Sequence, residues 1–483
     1  MNESFYSFNI LLYNMAARDR SIDVVIDTQE EFVPECEHGP TLMFSRFDTR
    51  TKTERRFFAC SAFRDKKVCS FFKWVEDVKQ NKRKQLMCND SFPNAIYNHK
   101  AMRERFAKVK NLSCNERSLC VDCGLFLLPD EGNQHKEEKH TLRYNITDEM
   151  LSKPTELFIP FDDNKTYAQY LFTKKTVNFL LDLLVSMDIT SVLCIGCPRI
   201  HEAIQNRMKE GKFSMKSLLL DLDHRYLQVF PPEQLCRYNM LNNHFFGGDI
   251  DKNTFKKFLH VNGKVAIVTD PPFGVMVDAL YKTLNIVQEE WRTARGIEDT
   301  TEMPVFWFFP YFMEKRVNMS CPSYSMLDYK VDYDNHDLFR GDKGRKKGSP
   351  VRIFTNLSPK LIPLPQDDGY WYCDKCERYS AQENKHCSKC ECCPTKDGST
   401  YKHCDVCKRC VKPNRIHCSQ CNICDLPEHT CGQSIKQGCH ICGALDHKRR
   451  ECPNKNKSTE SSVIRTQKRK GCEQFSSKKK KRK

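Results

Sequence analysis

The placement of cysteine limits the folds open to this chain more than any other feature. Its 483 residues include 28 cysteines, many of them in Cys-x-x-Cys pairs interleaved with histidines. They gather at the front of the chain and, far more densely, between Cys373 and Cys452, leaving a long middle almost free of such pairs. A small secreted protein with this content would be built on disulfides, but no apolar signal segment stands near the N-terminus. The pattern therefore predicts zinc in a reducing compartment. No run approaches the roughly 18 apolar residues of a membrane span, and Asn178–Val185 is short and amphipathic, so a soluble intracellular protein without membrane contact is expected. The net charge of +16 and the terminal run Lys479-Lys480-Lys481-Arg482-Lys483 favour a polyanionic partner, most simply nucleic acid.

In the middle the hydrophobic period alternates. From about Thr166 to Met187, Tyr170, Leu171, Val177, Leu180, Leu181 and Leu184 recur at helical spacing. Ser191 to Gly196 then reads as a short apolar strand closing on glycine, and His201 to Glu210 as a polar helix. Ser217 to Asp223 is a second buried strand ending in acid, Val265 to Thr269 a third and Val305 to Phe309 a fourth. Strands alternating with helices predict an α/β fold with a doubly wound, mostly parallel, Rossmann-like sheet. In such sheets ligands sit at the carboxyl ends of the strands, here Gly196, Asp221 or Asp223, and Asp270. A glycine turn lets backbone approach a cofactor, and an acid at the next strand end accepts ribose hydroxyls. Cys194-Ile195-Gly196-Cys197-Pro198-Arg199 departs from a full G-x-G-x-G loop.

The third strand opens into Asp270-Pro271-Pro272-Phe273, which resembles the [DNS]-P-P-[FYW] signature of amino-group methyltransferases. The Asp side chain and the carbonyl between the prolines accept both hydrogens of a planar NH2, the ring stacks on the flat group, and the prolines stiffen the loop. A dehydrogenase would want a fuller glycine fingerprint and gives this motif no task.

Gln169-Tyr170-Leu171-Phe172, the Cys194 to Glu202 segment, the Asp-Pro-Pro-Phe motif, Phe306 to Phe312 and Val331-Asp332-Tyr333-Asp334-Asn335-His336 together resemble the zinc-finger CCHC-domain ribosomal RNA adenine-N6 methyltransferases of animals, over nearly the whole chain. The resemblance implies a class I methyltransferase domain that makes one N6-methyladenosine in 28S ribosomal RNA with S-adenosylmethionine as donor. It implies that Gln169, Tyr170, Leu171, Phe172, Gly196, Arg199, an acid at Asp221 or Asp223 (Asp221 preferred), Asn239, Met240 and Asp270 line the cofactor site. Asp270, Pro271, Pro272 and Phe273 would hold the adenine. Structured ribosomal RNA, ribosome-biogenesis or RNA-helicase proteins as partners, a monomeric state, and a nuclear or nucleolar as well as cytoplasmic location are the accompanying expectations. The alternatives are a noncatalytic RNA-binding protein on a methyltransferase-like scaffold, or an amino-methyltransferase with another substrate.

The zinc segments flank this domain. Cys36, His38, Cys60 and Cys69, followed by Phe71-Phe72-Lys73-Trp74, resemble a GRF-type zinc finger, with Arg55-Arg56-Phe57 in place of the Gly-Arg-Phe that names it. Arginines beside Phe57, Phe58, Phe63 and Trp74 suit phosphate contact with base stacking, although some of these rings must form the finger's small core. Cys120, Cys123, His135 and His140 have C2H2 spacing, and packing against the catalytic core is as reasonable for this single finger as RNA reading. Between Cys373 and Cys431 a unit His-Cys-x2-Cys-x2-Cys appears at His403-Cys404-Cys407-Cys410 and at His417-Cys418-Cys421-Cys424, with a degenerate copy at His386-Cys387-Cys390-Cys393. With Cys373, Cys376, His429 and Cys431 these supply several zincs whose pairing the spacing leaves open. Cys439, Cys442, His447 and Cys452 form a CCHC knuckle with Lys448, Arg449 and Arg450 inside it, as for a single-stranded RNA contact. The expected division is an extension over 1–30, the GRF finger over 31–80, the C2H2 region over 81–150, the methyltransferase domain over 151–365, the multi-zinc domain over 370–432, the knuckle over 437–454 and a disordered basic tail over 455–483.

Overall fold

A computed structural model of the chain describes residues 22–26, 32–48, 53–63, 66, 69–78, 98–160, 169–211, 214–335 and 349–431. The CCHC knuckle of Cys439, Cys442, His447 and Cys452, the basic tail and the N-terminal extension up to residue 21 lie outside the described residues. The chain divides into two compact units, one spanning Ser21–His403 and the other containing the described residues 404–431.

The larger unit is organised by an eight-stranded sheet. Its strands are β1 (Ile189–Ile195), β2 (Lys216–Asp221), β3 (Leu235–Asn239), β4 (His244–Phe245), β5 (Lys264–Thr269), β6 (Val305–Pro310), β7 (Ser325–Leu327) and β8 (Val351–Thr355), in the spatial order β4-β3-β2-β1-β5-β6-β8-β7. The central five, β3-β2-β1-β5-β6, run parallel. The edges β4 and β8-β7 pair antiparallel. The order reverses its direction of travel between β1 and β5, and this switch point is where an open α/β sheet leaves a crevice for ligand.

These strands are apolar on both faces because both faces are covered. Val192, Cys194, Ala266, Val268, Phe306 and Phe308 point into one core with helices α1 (Lys174–Ser186) and α2 (Pro198–Lys209). Leu193, Ile195, Leu218, Leu220, Ile267, Trp307 and Phe309 point into the other with α3 (Asp249–Leu259) and α4 (Val277–Arg295). The four strands read from the sequence are β1, β2, β5 and β6. Helix α1 is shorter than its periodicity predicts. Thr173 caps it, its hydroxyl accepting from the Thr176 amide at 3.2 Å. Tyr170 and Leu171 belong to an extended segment instead, because Asn335 pins it: the Leu171 amide donates to Asn335 Oδ1 at 2.8 Å, and Asn335 Nδ2 donates to the Gln169 carbonyl at 2.7 Å.

The two front fingers are built into the same unit. Strands Leu42–Asp48, Thr53–Ala59 and Phe72–Trp74 form the GRF sheet, with Ile22–Val24 added at its edge ahead of residue 31. The C2H2 module contributes Phe106, Leu119 and Phe126 to the core that covers one face of the large sheet, so it packs against the catalytic core.

Candidate active site and zinc clusters

The ends of β1, β2, β3 and β5 converge. The Gly196 amide donates to the Leu220 carbonyl at 2.9 Å, and the Asp270 amide to the Ile195 carbonyl at 3.3 Å, which sets the residues after β1 and β5 side by side. Gly196 has φ +66°, and a Cβ there would lie 2.6 Å from Met240 Cε and 3.5 Å from the Asp270 carbonyl oxygen. The left-handed backbone is what favours glycine at this point.

The two candidate acids separate by what surrounds them. Asp223 caps the turn His224–Gln228 and is clasped by Arg225, whose Nε donates to Oδ1 at 2.9 Å and Nη2 to Oδ2 at 2.6 Å, while Gln169 Nε2 donates to Oδ2 at 2.9 Å. Burial works to raise this carboxyl, but the hydrogen bonds and charge of Arg225 overcome it and hold the group below the usual carboxylate range. Asp221, at the end of β2, accepts the Asp223 amide at 2.9 Å. Burial first, and then the charge of Asp223, push its carboxyl up to about 7. A dehydrated acid with acceptor capacity to spare is the better receptor for a pair of ribose hydroxyls, and Asp223 instead orders its surroundings.

The substrate side of the crevice is aromatic. Asp270 accepts from the Tyr333 hydroxyl at 3.1 Å. Tyr170 lies 5.5 Å from Phe273 and 5.7 Å from Tyr333, centroid to centroid, and Tyr333 stacks on Phe172 at 5.1 Å. Burial drives the Asp270 carboxyl well above its ordinary range, and the Tyr333 hydroxyl only partly offsets this. The Pro272 carbonyl accepts the Val275 amide at 2.9 Å, closing the turn after the motif. The Pro271 carbonyl takes no part in that turn. A flat nucleoside fits this setting: the glycine admits no side chain, the adjoining acid is dehydrated, and rings form the wall.

Two of the expected cofactor residues are committed elsewhere. Arg199 sits in the first turn of α2, with Nη1 on Thr155 Oγ1 at 2.9 Å and Glu156 at 3.1 Å, and Nη2 on Asp334 at 3.3 Å. It thereby ties the segment carrying Tyr333 to the body of the domain. Asn239 donates its amide to Ser61 of the GRF finger at 2.8 Å and accepts the Leu241 amide at 3.0 Å. Tyr333 itself was not among the residues the sequence singled out for the site. It lies 63 positions from Asp270, and only its place within the Val331 to His336 segment drew attention to it; His336 lies outside the described residues.

The Cys/His sets assemble as metal clusters, with ligand atoms within 4.8 Å of one another in Cys36, His38, Cys60 and Cys69, in Cys120, Cys123, His135 and His140, in Cys373, Cys376, His386 and Cys393, and in Cys404, Cys407, His417 and Cys424. Cys418, Cys421, His429 and Cys431 also converge, with Cys418 Sγ 3.5 Å from Cys431 Sγ and Cys421 Sγ 3.2 Å from His429 Nε2. Cys387 and Cys390 approach His403 Nδ1 at 3.6 and 3.2 Å, and Cys410 belongs to the smaller unit. The repeated unit is therefore not a site. His386 and Cys393 join one cluster while Cys387 and Cys390 between them turn to another, and His417 and Cys424 treat Cys418 and Cys421 the same way.

A local signature accompanies these clusters. The residue after each second cysteine has a left-handed backbone: Gly124 at φ 62°, Glu377 at 46°, Glu391 at 51°, Lys408 at 49° and Asn422 at 54°. Four of the five are not glycine, a conformation that costs roughly 1–2 kcal/mol per residue. The turn aims backbone amides at sulfur, as from Cys123 to Cys120 and from Cys407 to Cys404, both at 3.4 Å. Such bonds stabilise thiolates and are expected around zinc.

Comparison with known proteins agrees with this geometry. The family described as probable N6-adenine methyltransferase matches residues 163–338, and the GRF zinc finger family matches residues 34–78. The chain is 44% identical to the rRNA N(6)-adenosine-methyltransferase ZCCHC4 of Homo sapiens over 87% of its own length and 82% of the human protein. It is 43% identical to the protein of the same name from Xenopus tropicalis, over 88% and 87%.

Proposed function

The chain belongs to the rRNA N6-adenosine-methyltransferase family, and from that premise we propose that it transfers a methyl group to N6 of one adenosine in the 28S RNA of the large ribosomal subunit. The observation that carries the proposal is the Asp270 carboxyl at the end of β5, bonded to the Tyr333 hydroxyl beside the rings of Tyr170 and Phe273, on a residue whose backbone adjoins Gly196. S-adenosylmethionine is the cofactor, and when bound it supplies a methyl group on an electrophilic sulfonium. Gly196, Met240 and Asp221 are the residues proposed to hold its nucleoside part, with Asp221 taking the ribose hydroxyls.

The exocyclic amine of adenine is a weak nucleophile because its lone pair is delocalised into the ring. Tyr333 occupies Asp270 Oδ1, which leaves Oδ2 to accept one N6 hydrogen while the Pro271 carbonyl accepts the other. Two acceptors below the amine favour a pyramidal nitrogen and turn its lone pair toward the methyl donor. Orientation of this kind supplies much of the rate, and no strong base is needed because the proton departs after transfer. Phe273 and Tyr170 hold the base by stacking and exclude water from the crevice.

Among the described residues no helix is long and apolar enough to cross a membrane. Action as a monomer, in the nucleolus and cytoplasm, is part of the proposal and is checked by light scattering and by imaging a tagged chain. The decisive experiment is mass spectrometry of nucleosides from 28S and 18S RNA after deletion of the protein. Loss of N6-methyladenosine from 28S RNA is expected, and an unchanged level there overturns the substrate assignment.

A further inference from the structure

Asn239 ends β3 within a polar cluster shared with the first zinc finger. Asn239 and Ser61 are both buried, and Ser61 follows the metal-cluster residue Cys60 directly in sequence. The Ser61 hydroxyl donates to the Pro40 carbonyl at 2.9 Å and accepts from Asn239 Nδ2 at 2.8 Å and Asn242 Nδ2 at 3.1 Å. Asn242 Nδ2 also donates to the Pro40 carbonyl, at 2.6 Å. On its other side Asn239 Oδ1 accepts the Leu241 amide at 3.0 Å. Met240 lies between these two anchored positions, and its methyl group closes over Gly196. The finger's turn also lies close to the strand that follows, since a Cβ on Gly39 would fall 2.7 Å from the His244 ring at the start of β4.

We infer that Ser61 is a positioning residue for the methyl donor: through Asn239 it fixes Met240 over Gly196, so that the GRF finger helps set the cofactor pocket. This rests on the reading of Gly196 and Met240 as cofactor residues. An orphaned buried amide is costly. Without the Ser61 oxygen, Asn239 Nδ2 loses its acceptor in a site closed to water and must either stay unpaired or rotate. Rotation breaks the Asn239–Leu241 bond and releases Met240. The finger and the cofactor loop thus share one network, and disturbance of either is felt by the other.

The test uses the full-length zinc-loaded chain. Ser61→Ala is expected to weaken S-adenosylmethionine about tenfold by calorimetry, with zinc content unchanged and little change in KM for RNA. Hydrogen exchange at the Leu241 amide should speed up in the cofactor-free protein, and Ser61→Thr, which keeps the hydroxyl, should restore both. In an Asn239→Ala background Ser61→Ala should add nothing. Unchanged cofactor affinity in Ser61→Ala, or effects of Ser61→Ala and Asn239→Ala that simply add, overturns the inference. If Ser61→Ala does not fold, Ser61→Cys, which fills the space but puts a weak sulfur acceptor in place of the oxygen, is measured in its place against the same readouts and the same outcomes. A wild-type chain that binds no S-adenosylmethionine would instead defeat the functional proposal itself.

Discussion

The parallel sheet and the zinc array at residues 404–431 hold their chains in opposite ways. Around the sheet, long runs of Leu, Ile, Val and Phe are buried in two continuous cores. In the array, the only buried apolar residues among those described are Val411 and Cys424. Burial of apolar side chains contributes roughly 1.5–3 kcal/mol each, so the sheet needs no metal, whereas two such residues cannot offset the entropy of ordering a segment of this size. The division suits the work. A site that must hold a methyl acceptor in line is carried by the rigid sheet, and the ends rely on metal.

The largest expected effect breaks this comparison open. Chelation of zinc should remove on the order of 10 kcal/mol from the array. Hydrogen exchange would then report lost protection across Arg409–Val411 and Ile416–Cys418, while β1 amides stay protected. Retained protection at both places would mean that the array has a core of its own. Next comes core truncation. Leu220→Ala in the sheet should cost about 2–5 kcal/mol in denaturant unfolding, and Val411→Ala in the array well under that.

Site variants should separate chemistry from stability. Asp270→Ala is expected to lower methyl transfer by about 10²–10³-fold with no loss of melting temperature. Asp270→Asn keeps an acceptor oxygen and should retain measurable activity. Asp221→Asn should weaken the cofactor yet stabilise the fold. The folded state holds the Asp221 proton up to about 7, whereas the unfolded chain releases it near the ordinary carboxylate value, so wild-type stability falls as pH rises across that window. The variant escapes this fall: it should match wild type near pH 4 and exceed it at pH 8, by at most about 4 kcal/mol, as read from melting curves at the two pH values.

The smallest expected effect concerns Tyr333→Phe. Its hydroxyl lowers the carboxyl of Asp270, which burial raises. Removing it should move the acid limb of kcat/KM to higher pH, and that limb should be absent in Asp270→Asn. A limb that stays in place would show that Asp270 is not the titrating acceptor.

Much of this could be read from the chain alone, for reasons that are local. The strands β1, β2, β5 and β6 were visible because burial on both faces leaves continuous apolar runs. The acids at their ends were visible because a strand leaving a core must meet polar atoms. Zinc was legible from residue type, since few other tasks call for Cys-x-x-Cys beside histidine. The helical spacing of Tyr170 and Leu171 misled, because a two-residue apolar pair fits an extended segment equally well and its partner Asn335 is far along the chain.

What the sequence determined, then, is the kind of chemistry: an Asp-Pro-Pro-Phe turn at a strand end, acids closing the neighbouring strand, and metal at both flanks. Only the tertiary structure decided how like residues divide that work. Arg225 and Gln169 engage the Asp223 carboxyl, whereas Asp221 accepts the Asp223 amide. Ser61, 178 positions away, draws the Asn239 amide to the finger. The repeated Cys-x-x-Cys units share their ligands across neighbouring clusters. In each case the residues competing for a role are chemically equivalent, and what separates them is the partner brought alongside from a distant part of the chain.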